Sequence, residues 1–299
     1  MEQHQKNVEI LLEKIEESNA ILVGAAAGMS ASCGYKFFYS HDEYFEKYFG
    51  DFHRRYGYEG AFNGYYHRYP SKEARWAFIA RACYLMYECE TGEPYYNLME
   101  LLKGKNYHIM TTNQDTQFTR VVSEDKLSAI QGDWRYFQCD CRCHDEIYYN
   151  KEQIYEMNAA IDDNLCIPTS MIPKCPKCGG DMEPWVRGYT FLEGKKYREE
   201  HRKINTFLEK NRNKKILFLE LGVGRMTPMF IQEPFWKLTY TLPDAFYITI
   251  NPRDAILPEA LKKKGAAIHE DIAVVLRLSR FAFIHQITSS GNKRPACLL

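Results

Sequence analysis

Short apolar runs recur along the chain, and most of them stop at a small or polar residue. Runs of this kind, bounded by turn residues, are typical of buried strands in a parallel sheet. Stretches with apolar residues at helical spacing lie between several of them. The alternation predicts an α/β fold with a doubly wound parallel sheet. The predicted strands occupy residues 21–23, 107–112, 127–130, 214–221, 246–250 and 267–269.

Helical periodicity and helix-start residues predict the helices that accompany these strands. They cover residues 8–18, 71–87, 258–264 and 272–278. Ser71 suits the N-cap position of the second helix, and Asp271 suits that of the last one. We expect residues 285–299, which contain Gly and Ser, to be a loose tail.

The first predicted strand leads into a turn of small residues, G-A-A-A-G-M-S-A-S at positions 24–32. Small side chains let the backbone approach a ligand, and unpaired N–H groups at such a turn can bind phosphate. Ser30 or Ser32 is expected to cap the helix that follows. Small residues also occur wherever a helix packs tightly on a sheet, so the turn alone leaves both interpretations open.

Residues 35–106 differ in character because tyrosine and phenylalanine are dense there. We predict a helical insertion in which these aromatic side chains form the core. The alternative is a lid or groove beside the first turn, in which Arg54, Arg55 or Arg68 reaches a ligand.

Composition limits the classes of function. The 299 residues include 39 basic and 39 acidic ones, so the formal net charge is zero and no long-range field favours nucleic acid or an anionic membrane. No apolar run is long enough to span a bilayer, and the amphipathic N-terminus lacks a signal-peptide core. The ten cysteines then indicate metal binding in a reducing cytoplasm more than disulfides.

Five of the cysteines form a metal-binding pattern. Cys175 and Cys178 are spaced C-x-x-C and are followed by two glycines, and a second cysteine group lies upstream. Two such pairs predict a closed, tetrahedral zinc site that stabilises the fold without doing chemistry. We prefer Cys139 with Cys143 as the upstream pair. Cys141 is the alternative; His144 could also substitute as a ligand, although an exposed side chain is the expectation there.

Taken in order, these motifs resemble those of the sirtuins, which are NAD-consuming enzymes with a Rossmann-type domain and a small zinc domain. The resemblance extends from about residue 21 to residue 278. It includes the T-T-N-Q-D segment at 111–115, the Q-G pair at 131–132 and the G-V-G segment at 222–224. It implies that NAD is bound by Ala26, Ala27, Gly28, Ser30, Asn113, Asp115, Gln131, Gly222, Val223, Gly224, Asn251, Asp271 and Ile272.

The resemblance also implies a division of the chain. Residues 1–34, 107–132 and 189–284 are assigned to the NAD-binding domain, residues 35–106 to the helical insertion and residues 133–188 to the zinc module.

If the small-residue turn approaches the pyrophosphate, Gly28→Val is expected to block NAD binding while the fold stays intact.

Departures from the sirtuin pattern carry the functional information. Gln131 stands where the family has its catalytic histidine, and the segment that pairs with acyl-lysine peptides is not recognisable after Pro184. These departures resemble the macrodomain-linked (class M) sirtuins. That resemblance implies ADP-ribosyl transfer from NAD to a lipoylated carrier protein of the glycine-cleavage H type, with a macrodomain protein as a further partner. Asn113, Gln131 and Asp115 are the implied catalytic residues.

Chemistry supports the same choice, because an amide has no titratable site near neutral pH and Gln131 can only orient a reactant. Three other functions stay open. The first is a lysine deacylase in which His108 or His269 supplies the base, although His108 lies in a predicted strand and is expected to be structural. The second is an NAD hydrolase, and the third is a non-catalytic NAD-binding scaffold.

Overall fold

The structure, a computed structural model, describes the backbone of residues 2–291 and the side chains of residues 2–285. Its strands are β1 (Ala20–Ala25), β2 (Tyr107–Thr111), β3 (Leu127–Ala129), β4 (Gly132–Cys139), β5 (Ile147–Tyr149), β6 (Met182–Val186), β7 (Ile216–Leu221), β8 (Ala245–Ile250) and β9 (Gly265–Ile268). Its α-helices are α1 (Glu2–Glu17), α2 (Ala27–Ser32), α3 (Glu43–Tyr56), α4 (Ala61–Tyr66), α5 (Lys72–Glu88), α6 (Glu93–Leu101), α7 (Lys151–Ala159), α8 (Lys195–Asn211), α9 (Gln232–Thr241) and α10 (Ile272–Gly291).

A parallel sheet with the strand order β3-β2-β1-β7-β8-β9 organises the larger part of the molecule. This is the doubly wound order, in which the chain reverses direction across the sheet between β1 and β7. Ala25 pairs in register with Thr111 on one side and with Leu221 on the other. The loops that follow β1, β2 and β7 therefore meet at one edge, and the predicted fold class is confirmed.

The central strands are apolar because both faces of the sheet are covered. Every residue of β1 and β7 is buried. One face packs against α1, α6 and α10, with Leu11, Leu98 and Val275 in the core. The opposite face packs against α8 and α9 through Ile204 and Phe235. The uninterrupted apolar runs in the sequence reflect this burial on two sides.

The predicted helices at residues 8–18 and 71–87 are confirmed as α1 and α5, although α1 begins six residues earlier than predicted, at Glu2. Ser71 is the N-cap of α5, where its Oγ accepts a hydrogen bond from the N–H of Ala74 at 3.1 Å. Asp271 likewise accepts from the N–H of Ala273 at 2.8 Å at the start of α10. Capping residues thus predicted both helix starts correctly.

The helix predicted at residues 258–264 is wrong, because only one 3-10 turn, Glu259–Leu261, forms there. The carbonyl of Lys264 already accepts a hydrogen bond from the N–H of Tyr247 in β8 at 2.9 Å. The chain must therefore be extended at this point to enter β9.

The last helix is longer than predicted. The sequence predicts that it ends at residue 278 and that a loose tail begins at residue 285, but α10 continues to Gly291. Ala282 and Phe283 extend its contact with the sheet core, and Arg280 Nη1 donates to Asn97 Oδ1 on α6 at 3.2 Å. Residues 292–299 of the predicted tail lie outside the described residues. No helix in the described part of the chain is apolar and long enough to cross a membrane.

The aromatic residues after position 34 form a core, as predicted, and that core is shared with the cysteine-containing region. Phe45, Phe49 and Phe78 lie in the same buried cluster as residues of the small antiparallel sheet, β5-β4-β6. Trp76 of α5 packs edge-to-face on Phe137 of β4, with ring centroids 5.2 Å apart. The insertion and the zinc module are therefore packed into one hydrophobic unit.

Two details differ from the predicted insertion. Helix α6 falls within residues 35–106, but Tyr95, Leu98 and Leu101 pack in the core of the large sheet. Arg54, one of the arginines considered as a ligand contact, forms an ion pair with Glu46 on its own helix at 2.8 Å. The interpretation of the aromatic residues as a core is the better one.

Glu220 is a buried carboxyl group inside the large sheet. It accepts hydrogen bonds from Thr249 Oγ1 at 2.9 Å, from Gln232 Nε2 at 3.1 Å and from the Tyr247 hydroxyl at 2.5 Å. Burial nevertheless raises the pKa of Glu220 to about 7, because the charged form loses its hydration. The folded protein therefore binds this proton more tightly than the unfolded chain does.

This difference predicts a pH-dependent stability. A group whose pKa is raised by folding stabilises the fold fully below its unfolded pKa of about 4.3, and that contribution is lost as the pH rises through about 7. Glutamine does not titrate, so Glu220→Gln removes this loss. The difference in unfolding free energy, variant minus wild type, is expected to be more positive at pH 8 than at pH 5 by roughly 1–3 kcal/mol. Urea denaturation at the two pH values measures it. Glu259→Gln, at an exposed carboxylate, is the control; equal changes in both variants would contradict the prediction.

Candidate active site and metal centre

Two glycines are in backbone contact at the carboxyl edge of the sheet. The N–H of Gly28 donates to the carbonyl of Gly222 at 3.0 Å, and a Cβ on Gly28 would lie 2.5 Å from Gly222 Cα. Gly222 has φ +69°, a conformation that favours glycine. The N–H of Ala26 donates to Leu221 O at 3.0 Å. The turn after β1 is therefore held against the end of β7 by the main chain.

This contact corrects two expectations for the turn. The N–H groups of Ala26 and Gly28 are not unpaired donors, because the end of β7 accepts from both. A side chain at position 28 would collide with the backbone of Gly222 before it met any ligand. Gly28→Val is therefore expected to disturb the fold and is not a clean test of cofactor binding.

Asn113 follows β2 and is held in one orientation. Its Nδ2 donates to the carbonyl of Ala26 and to Ser30 Oγ, both at 3.0 Å. Thr111 Oγ1 accepts from the N–H of Asn113 at 3.0 Å and donates to Ala25 O at 2.9 Å. Because both side-chain amide hydrogens are used, Asn113 offers its Oδ1 as a hydrogen-bond acceptor.

Ser30 joins Asn113 to Asp115. Its hydroxyl donates to the Asp115 carboxylate and accepts from Asn113 Nδ2. Burial is the largest cause of the raised pKa of Asp115, and the hydrogen bond from Ser30 opposes that shift.

The helix caps predicted at Ser30 or Ser32 are wrong. Ser30 and Ser32 both lie within α2, where Ser32 Oγ donates to Met29 O at 2.7 Å, and the N-cap is Ala26.

Tyr95 belongs to this network, although no pattern in the sequence pointed to it. Its hydroxyl is buried 3.4 Å from Ser30 Oγ, and its ring packs edge-to-face on Phe118. Tyr95 lies on α6, inside the stretch that the aromatic composition assigned to the insertion. Only the packing of α6 on the large sheet brings it to the site.

Gln131 lies between β3 and β4, where the large domain meets the small one. Its carbonyl accepts from Gln114 Nε2 and from the N–H of Arg187, each at 2.9 Å. Its side-chain Nε2 is buried and has no hydrogen-bond partner among the described residues. Buried polar atoms are normally paired, so an unpaired amide at this edge indicates a place for a ligand or water.

Gly132 and Arg187 support Gln131 from the small domain. Gly132 has φ +88°, and a Cβ there would lie 2.0 Å from the carbonyl of Trp185. The Arg187 guanidinium lies over the Phe191 ring at 4.3 Å and the Phe230 ring at 5.9 Å, and Nη1 pairs with Glu193 at 2.6 Å. Arg187 thus connects the end of β6 with the loop after β7.

Four thiols from the small domain converge on one point. The Sγ atoms of Cys139, Cys143, Cys175 and Cys178 all lie within 4.8 Å of one another. The pairs Cys139–Cys178 and Cys143–Cys175 are each separated by 3.7 Å. A tetrahedral zinc ion with Zn–S bonds of about 2.3 Å has sulfur–sulfur edges of roughly 3.8 Å, so this donor set fits structural zinc.

No model of a known protein family matches the chain. Solved structures of sirtuins share its fold. A Sir2 homologue–NAD complex is 18% identical and has a TM-score of 0.58, covering 92% of this chain and 94% of its own. A structure solved for the basis of sirtuin substrate affinity is 16% identical and has a TM-score of 0.59, covering 91% and 97%.

The sequence of a protein ADP-ribosyltransferase from Staphylococcus aureus is more closely similar. It is 34% identical over 280 residues, which cover 92% of this chain and 88% of that relative. The chain belongs to the sirtuin-family protein ADP-ribosyltransferases. A probable bifunctional ADP-ribose hydrolase/ADP-ribosyltransferase from Fusarium oxysporum is 25% identical over 239 residues, 77% of this transferase and 40% of the fungal protein.

The two histidines considered as a base lie elsewhere in the fold, one inside β2 and one after β9. His108 of this transferase is buried in β2 with Nε2 2.8 Å from Ser128 Oγ, and burial lowers its pKa to about 4. It is structural, as expected. His269 is exposed after β9.

Some of the residues that the sirtuin resemblance assigns to NAD binding already bind other parts of the transferase. Asn251 Nδ2 donates to Val223 O at 2.8 Å, and its Oδ1 accepts from the N–H groups of Arg253 and Asp254 at 3.0 Å. Asp271 caps α10, and the side chain of Ile272 is buried in the core. Asn251 therefore orders the loops after β7 and β8, and Ile272 offers a ligand its backbone only.

Removal of one thiol tests the zinc centre of the transferase. Cys178→Ser is expected to lower the zinc content from about one ion per chain and to lower the melting temperature, because a structural zinc site is coupled to folding. Metal analysis and thermal unfolding measure the two effects. Cys166→Ser is the matched control, since Cys166 lies in the same module outside the four-thiol cluster. A Cys178→Ser protein with full zinc and unchanged melting would contradict the assignment.

Proposed function

We propose that this transferase moves ADP-ribose from NAD to a protein that carries a lipoyl group, a carrier of the glycine-cleavage H type, and releases nicotinamide. NAD supplies the electrophile, the ribose carbon that loses nicotinamide. The observation that carries the proposal is Gln131, an amide at the position of the sirtuin histidine, with a buried and unpartnered Nε2.

An amide at position 131 favours transfer over deacylation. Deacylation by a sirtuin needs a base that removes a proton from a ribose hydroxyl, and Gln131 has no titratable site near neutral pH. It can still orient a ribose or an acceptor group by donating from Nε2. Capture of the ribose carbon by an acceptor side chain does not need the later proton transfers of deacylation.

Asn113 and Gln131 offer complementary hydrogen-bonding groups. Asn113 has only its Oδ1 left for a ligand, so it accepts, whereas Gln131 presents a free N–H donor. A hydroxyl can donate to one of them and accept from the other. We infer that they orient the nicotinamide ribose or the attacking group, and that Asp115, fixed by Ser30, binds the carboxamide.

The diphosphate is proposed to lie over the loop after β7. A Cβ on Gly224 would meet no atom within 4 Å, so the space beside this residue is open. In open α/β sheets, ligands bind beyond the carboxyl ends of the strands at the point where the strand order reverses. Gly224 follows β7 at that point, and Asn251 supports the loop from β8.

The proposal of a lipoylated acceptor rests on the resemblance to class M sirtuins and on the surface of the small domain. Arg187 stands after Pro184, where deacylating sirtuins have the segment that pairs with an acyl-lysine peptide. Glu193 and the aromatic rings hold the arginine side chain in place. The surface of the small domain beside Gln131 therefore differs from the peptide-binding segment of a deacylating sirtuin. We propose that this surface meets the carrier and that the lipoyl arm is the recognition element.

A macrodomain protein is the proposed partner that removes the modification. The name of the fungal relative combines ADP-ribose hydrolysis with ADP-ribosyl transfer in one protein. We also propose a cytoplasmic location, since the cysteines of the described residues are free thiols, as expected in a reducing compartment.

Intact-mass spectrometry of the acceptor tests the proposed function. With NAD, the lipoylated carrier is expected to gain one ADP-ribose, and the same carrier without its lipoyl group is expected to gain none. Asn113→Ala should slow transfer about a hundredfold, because a misplaced reactant alone costs that much. Asn164→Ala, at an exposed position in the zinc module, is the matched control with unchanged rate.

Other outcomes assign the alternatives. Loss of an acetyl group from a lysine peptide, abolished by His108→Ala or His269→Ala, would make the protein a deacylase. Free ADP-ribose without a modified carrier would make it a hydrolase, and unchanged NAD would make it a scaffold. Equal modification of both carrier forms would refute the lipoyl requirement alone.

A further inference from the structure

A fifth thiol touches the zinc centre. Cys141 Sγ lies 3.4 Å from Cys139 Sγ and 3.9 Å from Cys178 Sγ, in the turn that follows β4. Structural zinc takes four ligands, and the four mutually close thiols already supply them. Cys141 is therefore a spare thiol in contact with two ligands of the metal.

The spare thiol is also accessible. Cys141, Cys143 and Cys178 are exposed, whereas Cys139 and Cys175 are buried; of the exposed thiols, Cys178 is the one in contact with Cys141. An oxidant in solvent can therefore reach the Cys141–Cys178 pair directly. The two thiols lie on separate turns, one after β4 and one in the C-x-x-C knuckle, so a bond between them does not require a strand to move.

We propose that Cys141 and Cys178 form an oxidative modification site that opens the zinc centre in response to hydrogen peroxide. Peroxide oxidises the Cys178 sulfur to a sulfenic acid and is itself reduced to water. The Cys141 sulfur then attacks the sulfenic sulfur and displaces its hydroxyl as a second water. Two thiols and one peroxide thus give one disulfide and two waters, with two electrons passing to the oxidant.

The disulfide removes one of the four zinc ligands. The sulfur atoms need to approach from 3.9 Å to about 2.05 Å, a small movement for two exposed turns. Once bonded to Cys141, the Cys178 sulfur is no longer a thiolate and its contribution to zinc binding is lost. The remaining thiols hold the ion less tightly, and zinc is released to a competing chelator.

The position of β4 connects this event to the active site. The strand ends at Cys139, a zinc ligand, and begins at Gly132, next to Gln131. Loss of zinc frees the Cys139 end of a strand whose other end positions the Gln131 carbonyl. Oxidation at the metal centre is therefore expected to lower transferase activity as well. The zinc release itself does not involve the acceptor protein.

Zinc release from the full-length, zinc-loaded protein tests the site. The protein is treated with hydrogen peroxide in the presence of a chromogenic zinc chelator, and cysteine pairing is read by non-reducing peptide mapping. Wild type is expected to release zinc with formation of a Cys141–Cys178 disulfide, and a thiol reductant with added zinc should restore the metal content. Cys141→Ser should keep its zinc at rest and release it several-fold more slowly. Cys166→Ser, at a cysteine outside the cluster, should behave as wild type.

Three results would overturn the proposal. Equal release rates from wild type and Cys141→Ser would remove Cys141 from the reaction. A disulfide map without a Cys141–Cys178 linkage would assign oxidation to other thiols. A Cys141→Ser protein that purifies without zinc would make Cys141 a ligand and not a spare thiol.

Discussion

The backbone contact between Gly28 and Gly222 is the constraint on which the geometry of the active site depends. It closes the turn after β1 onto the end of β7, at the point where the strand order of the sheet reverses. That turn carries Ala26 and Ser30, the groups that hold the Asn113 amide. A displacement of the turn would therefore also displace the side chain proposed to orient the reactants.

The small domain completes the site from the other side. Its strand β4 begins beside Gln131, and Arg187 at the end of β6 binds the Gln131 carbonyl through its backbone N–H. The zinc centre lies at the far end of the same strand, where Cys139 is one of its thiols. Metal binding and the position of Gln131 are thus properties of one small sheet. This explains how a zinc ion without chemistry of its own contributes to the transferase.

Patterns that depend on neighbouring residues were readable from the sequence. The apolar runs predicted the parallel sheet because their residues are buried on both faces. The short spacing within each cysteine pair predicted the thiol cluster, because two ligands of one ion often lie a few residues apart in the chain. Features that depend on distant contacts were not readable. Tyr95 resembles its aromatic neighbours until α6 packs on the large sheet. Gly28 suggested room for a ligand, but its smallness serves the approach of Gly222.

Calorimetric titration of NAD into two glycine variants tests the placement of the active site most directly. Gly224→Val adds a side chain in open space after β7, so it should fold with an unchanged melting temperature and lose NAD binding. Gly28→Val should instead lower the melting temperature, because its side chain meets the Gly222 backbone. A Gly224→Val protein that binds NAD with wild-type affinity would contradict the placement of the cofactor at this edge of the sheet.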